Sequence, residues 1–113
     1  MKVLASDYDG TLRTGEMVDT KDVEAIHAFR EQGNVFGLVT GRSMESIKKE
    51  IERNGFEFDF IIANNGGVVY DANFNKLQCL YMDFNKALDI ISYIKTLDCV
   101  SFVINDGYNR YKV

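Results

Sequence analysis

The sequence lacks proline altogether and contains one histidine and two cysteines among its 113 residues. Without proline, and with its glycines spread along the chain, it has no linker, low-complexity tract or internal repeat. The single histidine, His27, lies in a helical pattern and is predicted at the surface, so Ser-His and Cys-His catalytic sites have almost no residues to draw on. Cys79 and Cys99 are far apart, which predicts reduced structural thiols rather than a metal site.

Positive charge is also in short supply. The net charge is −4 and the sequence pI is about 4.9, which argues against a nucleic-acid or membrane-surface binder. An anionic ligand must therefore be bound by a few local groups rather than by a broadly basic surface. No apolar run approaches the ~20 residues of a membrane span, and the first nine residues turn acidic too early for a signal peptide. We therefore expect a cytoplasmic protein without nucleic-acid or membrane partners.

What the sequence does contain is an alternation of strand and helix patterns. Hydrophobic residues make up 46% of the chain, which is enough for one core. Strands are predicted at 2–7, 34–40 and 58–63, and the apolar character of the first predicts burial on both of its faces. The helices between them are predicted to begin at Asp19 or Thr20 and at Ser43, and to end at Gly33 and Gly55. This order predicts an α/β fold with a parallel sheet.

The second half of the chain predicts smaller additions to that sheet. Turn-forming residues after the third strand lead to strands at 68–71 and 76–82, which predict a small antiparallel extension. A third helix is predicted over 83–97 and a hairpin over 99–113, so the chain is expected to stop before the architecture closes.

Polar residues follow each of the three predicted parallel strands. In an open α/β sheet, ligands bind beyond the carboxyl ends of such strands, and neighbouring strands lie about 5 Å apart. The residues at these ends are Asp7 and Asp9, then Thr40, Gly41 and Arg42, and then Asn64 and Asn65. They are expected to surround one small ligand.

Asp7 and Asp9 carry the strongest chemical signal. Side chains alternate along a strand, so these two carboxylates are predicted to point the same way. Two neighbouring carboxylates need a cation, and oxygen ligands without His or Cys favour Mg²⁺ over Zn²⁺. A bound Mg²⁺ would also allow an anionic phosphate to approach an acidic site.

The segment "TGRS" at residues 40–43 has two interpretations. Thr40 supplies a hydroxyl, Gly41 allows close backbone approach, Arg42 adds charge, and the helix that opens at Ser43 offers N–H groups to a phosphate. Alternatively, Thr40 and Ser43 only cap the helix and Arg42 lies at the surface. The neighbouring Asp pair favours the functional interpretation.

These motifs resemble those of the haloacid dehalogenase (HAD) superfamily. "DYDGTL" after an apolar strand resembles its first motif, and "LVTGR" after the next strand resembles its second. "IIANNGGVVYD" resembles the segment before the inserted cap of the Cof-like, type IIB branch. The resemblance covers nearly the whole chain. It implies a Rossmann-like core, with residues 1–82 as its N-terminal half and residues 83–113 as the beginning of a cap domain.

The resemblance also implies roles for individual residues. Asp7 would be the nucleophile that forms an aspartyl-phosphate, and Asp9 the general acid and base. Mg²⁺ would be held by Asp7 and by the backbone carbonyl of Asp9. The residues that would bind phosphate or substrate are Thr40, Gly41, Arg42, Gly10 and Asn65, and for Asn64 and Asn65 turn formation is the alternative interpretation. The implied activity is Mg²⁺-dependent hydrolysis of a small phosphate monoester such as a sugar phosphate.

The sequence departs from the family pattern in its later elements. The family also uses a lysine after the cap and an acidic pair on a fourth strand, and neither is present in these residues. Lys76 and the lysines that follow it predict surface roles, and Asp106 predicts a turn. The chain is therefore expected to be incomplete for catalysis. It is also expected to self-associate through an exposed sheet face or edge, to exchange elements with a neighbour, or to occur as a piece of a longer protein.

Two alternatives remain open at this stage. A phosphoacceptor receiver domain has similar length and chemistry, but it would need an Asp at the end of the third strand, where this chain has Ala63 and Asn64. The other is a non-catalytic phosphate- or Mg²⁺-binding remnant or interaction module. Turnover, as opposed to ligand binding, separates the last alternative from an enzyme.

Overall fold

The computed structural model describes residues 1–98 and 101–112 and confirms the alternation of strands and helices. The strands are β1 Val3–Asp7, β2 Val35–Val39, β3 Phe60–Ala63, β4 Val68–Asp71, β5 Lys76–Cys79, β6 Val103–Asn105 and β7 Arg110–Lys112. The helices are α1 Thr20–Glu31, α2 Met44–Asn54 and α3 Phe84–Ile94. The fold is α/β, as predicted.

Side-chain caps explain where the helices begin. Asp19 accepts a hydrogen bond from the backbone N–H of Lys21 at 2.8 Å at the start of α1, and Ser43 caps α2 in the same way. Asp83 caps α3. Gly55 ends α2 with a left-handed φ of 69°, a conformation that glycine adopts without steric cost.

Five strands form the main sheet in the order β1-β2-β3-β4-β5. The first three are parallel, β4 pairs antiparallel with β3, and β5 pairs antiparallel with β4, which together form the predicted extension. A 3₁₀ turn over Asn64–Gly66 reverses the chain between β3 and β4. Because β1, β2 and β3 run in the same direction, their carboxyl ends lie side by side at one end of the sheet.

The core lies on one face of this sheet, between the strands and both of the first two helices. Buried residues of α1 and α2 join one cluster with the strands, so both helices lie on the same face, as right-handed crossovers from β1 to β2 and from β2 to β3 are expected to place them. The buried apolar residues of the helices and strands form one cluster, which includes Ile26, Phe36, Leu38, Met44, Ile47, Ile51, Ile61, Ala63, Val68 and Tyr70.

Burial of β1 on both faces, predicted from its apolar character alone, is wrong, whereas the exposed sheet edge predicted for this chain is confirmed. Val3 is 60% exposed and Leu4 is 47% exposed, and Val39 on the neighbouring strand is also exposed. The reason is that β1 is the last strand of the sheet, paired only with β2. Val3 and Leu4 are successive residues that point to opposite faces, and Leu4 lines a cavity beside α1, so both faces of this apolar strand remain partly open to solvent.

The turn between β6 and β7 contacts the core. β6 and β7 form the predicted hairpin, and the carbonyl of Tyr108 in its turn accepts a hydrogen bond from the N–H of Glu45 in α2. Tyr70 of β4 donates to the carbonyl of Gly107 at 3.2 Å. Asp106 accepts from the N–H groups of Tyr108 and Asn109, which confirms its predicted role in the turn.

Two further predictions concern cysteine and membranes. Cys79 carries a free thiol, and Cys99 lies outside the described residues. Within residues 1–98 and 101–112, no helix is both long enough and apolar enough to cross a membrane.

Candidate active site

The ends of the parallel strands meet, as the sequence predicted. The N–H of Asn65 donates to the carbonyl of Thr40 at 3.1 Å, and the N–H of Asn64 donates to the carbonyl of Arg42 at 2.9 Å. Asp7 is paired in register with Val39, next to Thr40. Backbone hydrogen bonds therefore hold the polar segments after β2 and β3 together, directly beside the end of β1.

Asp7 presents an accessible carboxylate at the end of β1. It is exposed and accepts one side-chain hydrogen bond, from the Thr11 hydroxyl to Oδ2 at 3.2 Å. It forms no ion pair with a lysine or arginine of the described segments. A carboxylate with so few partners keeps lone pairs available for a cation or for attack on an electrophile.

Asp9 lies beyond the strand, in a turn. β1 ends at Asp7, and the chain folds back so that the N–H of Gly10 donates to the carbonyl of Arg13 at 2.8 Å. Gly10 has a φ of 80°, which favours glycine at this turn. The alternation that predicted parallel side chains for Asp7 and Asp9 therefore stops at Asp7, because Asp9 is not part of an extended strand.

Arg42 supplies the countercharge of Asp9. Its Nε and Nη2 donate to the two carboxylate oxygens of Asp9, each at 2.8 Å, which is the fork geometry of a strong Arg–carboxylate pair. These hydrogen bonds hold the pKa of the Asp9 carboxyl below its ordinary value. The guanidinium also lies 5.4 Å from the ring centre of the buried Tyr8. Sequence reasoning named Arg42 but missed this pairing.

Thr40, Gly41 and Asn65 pack closely at the tips of β2 and β3. Thr40 is buried, and its hydroxyl oxygen accepts from the N–H of Arg42 at 3.1 Å. No acceptor for its hydroxyl proton is present among the described residues, so that proton remains free to be donated. A Cβ on Gly41 would lie 2.8 Å from Oδ1 of Asn65, so the Gly41 backbone and the Asn65 side chain lie close together.

The start of α2 is less open than the sequence suggested. Ser43 accepts from the N–H of Ser46, and the N–H of Glu45 donates to the carbonyl of Tyr108 at 3.1 Å. Two of the N–H groups expected to meet a phosphate are thus already satisfied within the chain. The helix-capping interpretation of Ser43 is confirmed.

Glu50 is a charged residue at the site that sequence reasoning missed. It lies on the buried side of α2 and is 5% exposed. Arg13, from the loop after β1, donates to its carboxylate. The spacing carried a signal, because Glu50 follows Ile47 by three residues and precedes Ile51 by one, which puts it on the apolar face of the helix.

His27 confirms its predicted surface position. It lies on α1 with about half of its side chain exposed, and its ring nitrogens contact Glu57 at 2.9 Å and Glu31 at 3.1 Å. The hydrogen bond with Glu57 is the main cause that raises the pKa of His27. Lys76 is also exposed and donates to the Tyr81 hydroxyl. Both residues are remote from the strand ends that form the site.

The site offers oxygen donors to a divalent cation. No group of three or more His, Cys, Asp or Glu residues suited to a metal occurs within the described ranges. The site offers the carboxylate of Asp7 and backbone carbonyl oxygens, whereas the carboxylate of Asp9 is engaged by Arg42. Hard oxygen donors of this kind fit Mg²⁺, which binds through one or two carboxylates and retains several waters.

A cavity of about 500 Å³ opens between β1 and α1, next to the site. Asp7 and Thr11 lie at its rim, and Leu4, Ile26 and Phe36 contribute to its walls. Most of its lining is apolar, so the polar strand ends, rather than this cavity, provide the groups that suit an anionic ligand.

Comparison with known proteins identifies the family. A family model described as haloacid dehalogenase-like hydrolase matches residues 4–112. The 5-amino-6-(5-phospho-D-ribitylamino)uracil phosphatase YwtE of Bacillus subtilis (strain 168) is 28% identical over 110 residues, which are 96% of this chain and 37% of YwtE.

Solved structures of similar proteins superpose on this fold. A haloacid dehalogenase-like hydrolase from B. subtilis superposes with a TM-score of 0.81 at 26% identity, covering 92% of this chain and 36% of that one. The HAD subclass IIB sugar phosphatase BT4131 gives a TM-score of 0.76 at 19% identity, covering 99% and 44%. The chain spans 36 to 44% of the length of these relatives. It belongs to the haloacid dehalogenase-like hydrolase family, and its fold is that of the subclass IIB, Cof-like phosphatases.

Proposed function

We propose that this chain is the catalytic N-terminal part of a cytoplasmic, Mg²⁺-dependent phosphatase that acts on a small phosphate monoester. The observation that carries the proposal is the Asp7 carboxylate, which stands without an ion-pair partner at the end of β1 beside the joined tips of β2 and β3. Membership of the hydrolase family supports the reaction class.

Asp7 and Asp9 divide the chemistry between them. An Asp7 oxygen attacks phosphorus, the bond from phosphorus to the ester oxygen breaks, and Asp9 gives its proton to the departing alcohol. In the second step Asp9 takes a proton from water, which attacks phosphorus and releases inorganic phosphate from Asp7. Because Arg42 favours the ionised form of Asp9, the acid role of Asp9 requires this pair to loosen in the complex.

The other residues bind and orient the phosphoryl group. The free hydroxyl proton of Thr40, the Gly41 backbone and the Asn65 side chain meet at one tip and suit its oxygens. Gly10 shapes the turn after β1, and Arg42 adds positive charge. Asp7 and the Asp9 carbonyl would hold Mg²⁺, which when bound supplies positive charge to the phosphate.

The relatives suggest a class of substrate. The curated relative is named for a phosphorylated ribitylamino-uracil, and a structural relative is described as a sugar phosphatase. Both names describe phosphate esters of small polyhydroxylated compounds, so we propose a sugar phosphate or a similar metabolite. We assign residues 1–82 to the catalytic core and residues 83–113 to the beginning of the cap, the element that would select the substrate.

The proposal predicts phosphate release that requires Mg²⁺. The polypeptide that carries this sequence in its natural form should hydrolyse a panel of small phosphate esters, and EDTA should abolish this activity. Residues 1–113 expressed alone should show little or no turnover, because the family's lysine and second acidic pair are missing from them. Metal-independent hydrolysis by the natural form, or robust EDTA-sensitive turnover by residues 1–113, would contradict these expectations.

A second candidate function is non-catalytic binding of phosphate or Mg²⁺. The observation that favours it is the Asp9–Arg42 pair, which already satisfies one of the two carboxylates. A binding module would retain saturable phosphate binding and give no product from any ester in the natural form, whereas the proposed enzyme gives both.

Residues 1–113 by themselves are expected to self-associate. Their accessible surface is 7456 Å², against about 6,300 Å² for a compact 12.9 kDa monomer, and their radius of gyration is 16.6 Å against about 13 Å. The surplus of roughly 1,000 Å² is comparable to what one partner buries in a stable interface. We propose that a second copy covers the exposed β1 edge and its apolar neighbours.

Light scattering with intact mass measurement tests this expectation. Two copies or more per particle are expected, and Val3→Lys, which charges the β1 edge, should reduce association, whereas Lys21→Glu on α1 should not. A monodisperse 12.9 kDa monomer that unfolds cooperatively would contradict it.

A further inference from the structure

Glu50 is a buried carboxylate for which the proposed reaction has no use. Burial of a charge is costly unless oppositely charged groups compensate it. Three arginines surround Glu50: Arg13 donates to Oε1, Nη1 of Arg42 lies 3.5 Å from Oε1, and Nη1 of Arg53 lies 3.5 Å from Oε2. They come from the loop after β1, the end of β2 and α2 itself, so Glu50 joins three segments around the site.

The contacts of Arg42 show what this arrangement controls. The Nε and Nη2 edge of its guanidinium faces Asp9, while Nη1 donates to the Ser46 hydroxyl at 3.0 Å and lies near Glu50. Because the guanidinium is planar, acceptors that fix Nη1 also fix the direction of the opposite edge. We propose that Glu50 is a positioning residue that, together with Ser46, aims the Arg42 fork at Asp9.

Glu50 also reaches the main chain beside Asp9 through Arg13. The carbonyl of Arg13 accepts from the N–H of Gly10, and the backbones of Arg13 and Asp9 form an isolated β-bridge. The buried carboxylate of Glu50 therefore contacts two residues that adjoin Asp9. These are Arg13, whose backbone pairs with that of Asp9, and Arg42, whose side chain pairs with the Asp9 carboxylate. This arrangement fixes the position of Asp9 in the free protein, before a substrate binds. The functional meaning of this inference rests on the proposed role of Asp9.

A purely structural role for Glu50 would be to fasten the loop after β1 to α2. That loop has other attachments: the N–H of Val18 donates to Oδ1 of Asn54 at 2.8 Å, and Arg53 donates to the carbonyl of Glu16. Loop attachment is therefore shared among several contacts. The contribution specific to Glu50 is its position between Arg13 and Arg42.

NMR of the protein labelled with ¹⁵N-arginine tests the proposal in the natural polypeptide that contains this sequence. The Nε–H signal of Arg42 is assigned by its loss in Arg42→Lys, and exchange of that proton with water is measured. Glu50→Gln should accelerate exchange about tenfold, the size expected when a hydrogen bond to a charged group is weakened. The matched control Glu52→Gln removes the same charge from the exposed side of α2 and should leave the exchange unchanged.

A second variant keeps the test decisive if Glu50→Gln does not fold. Ser46→Ala removes the other acceptor of Nη1 and should accelerate exchange of the Arg42 Nε proton in the same direction. If exchange of the Arg42 Nε proton is unchanged in the folded variants, the positioning role is overturned. This outcome does not depend on which reaction the protein catalyses. Full activity of Asp9→Asn would instead overturn the proposed function while leaving the Arg42 result intact.

Discussion

Asp7→Asn is expected to abolish phosphoryl transfer while leaving the fold intact. The amide has the size of the carboxylate and can still accept from Thr11, but it cannot attack phosphorus as an anion. Because Asp7 is exposed, its replacement leaves no buried group unsatisfied. The rate should fall by about 10⁴-fold or more, as when a nucleophile is removed from other enzymes.

Single-turnover assays with a labelled phosphate ester measure this loss in the natural form of the protein. Asp22→Asn is a suitable control, because Asp22 lines the cavity beside Asp7 and the substitution makes the same change of charge. The control should retain turnover, and both variants should unfold at nearly the wild-type temperature. Phosphoenzyme at the wild-type level in Asp7→Asn would show that another residue is the nucleophile.

Asp9→Asn should produce a loss that depends on the leaving group. The backbone carbonyl proposed to bind Mg²⁺ is unchanged, but proton transfer is lost, which typically costs about 10² to 10⁴-fold. Esters of poor leaving groups need that proton most and should lose the most activity. The measurement is kcat/KM for a series of aryl and alkyl phosphates.

The pattern across the series identifies the role of Asp9. A steeper dependence on the pKa of the leaving group in Asp9→Asn than in wild type is expected. Arg42→Lys serves as a comparison, because it disturbs the partner of Asp9 while keeping the acid itself. Equal losses for good and poor leaving groups would mean that Asp9 is not the general acid.

Local sequence signals were sufficient to predict the elements of the fold. Asp19, Ser43 and Gly55 mark helix ends through their own hydrogen bonds and backbone angles, so their effect does not depend on the rest of the chain. Burial is different, because it depends on what packs against an element. The apolar character of β1 predicted burial on both faces, but its position at the edge of the sheet, expected because later elements of the family pattern are absent, leaves Val3 and Leu4 exposed.

The site likewise combines features that local sequence signals predicted with features that depended on the packing of distant segments. The strand ends brought Asp7 near Thr40 and Asn65 as predicted, since parallel strands place their ends together. The pairing of Asp9 with Arg42 depended on a turn at Gly10 that extended-strand geometry did not include. The burial of Glu50 followed from three arginines distant from one another in sequence, and only its spacing in α2 pointed to it.

The most direct test of the account is the identification of the phosphorylated residue. The protein in its natural form is mixed with a phosphate ester and Mg²⁺, quenched in acid during the first turnover, and treated with borohydride, which reduces an aspartyl-phosphate to homoserine. Mass spectrometry of the N-terminal peptide should find homoserine at position 7 only when substrate was present, and none in Asp7→Asn. Substrate hydrolysis with reduction at another residue, or with no reduced residue under conditions that trap an acyl phosphate, would contradict the central role of Asp7.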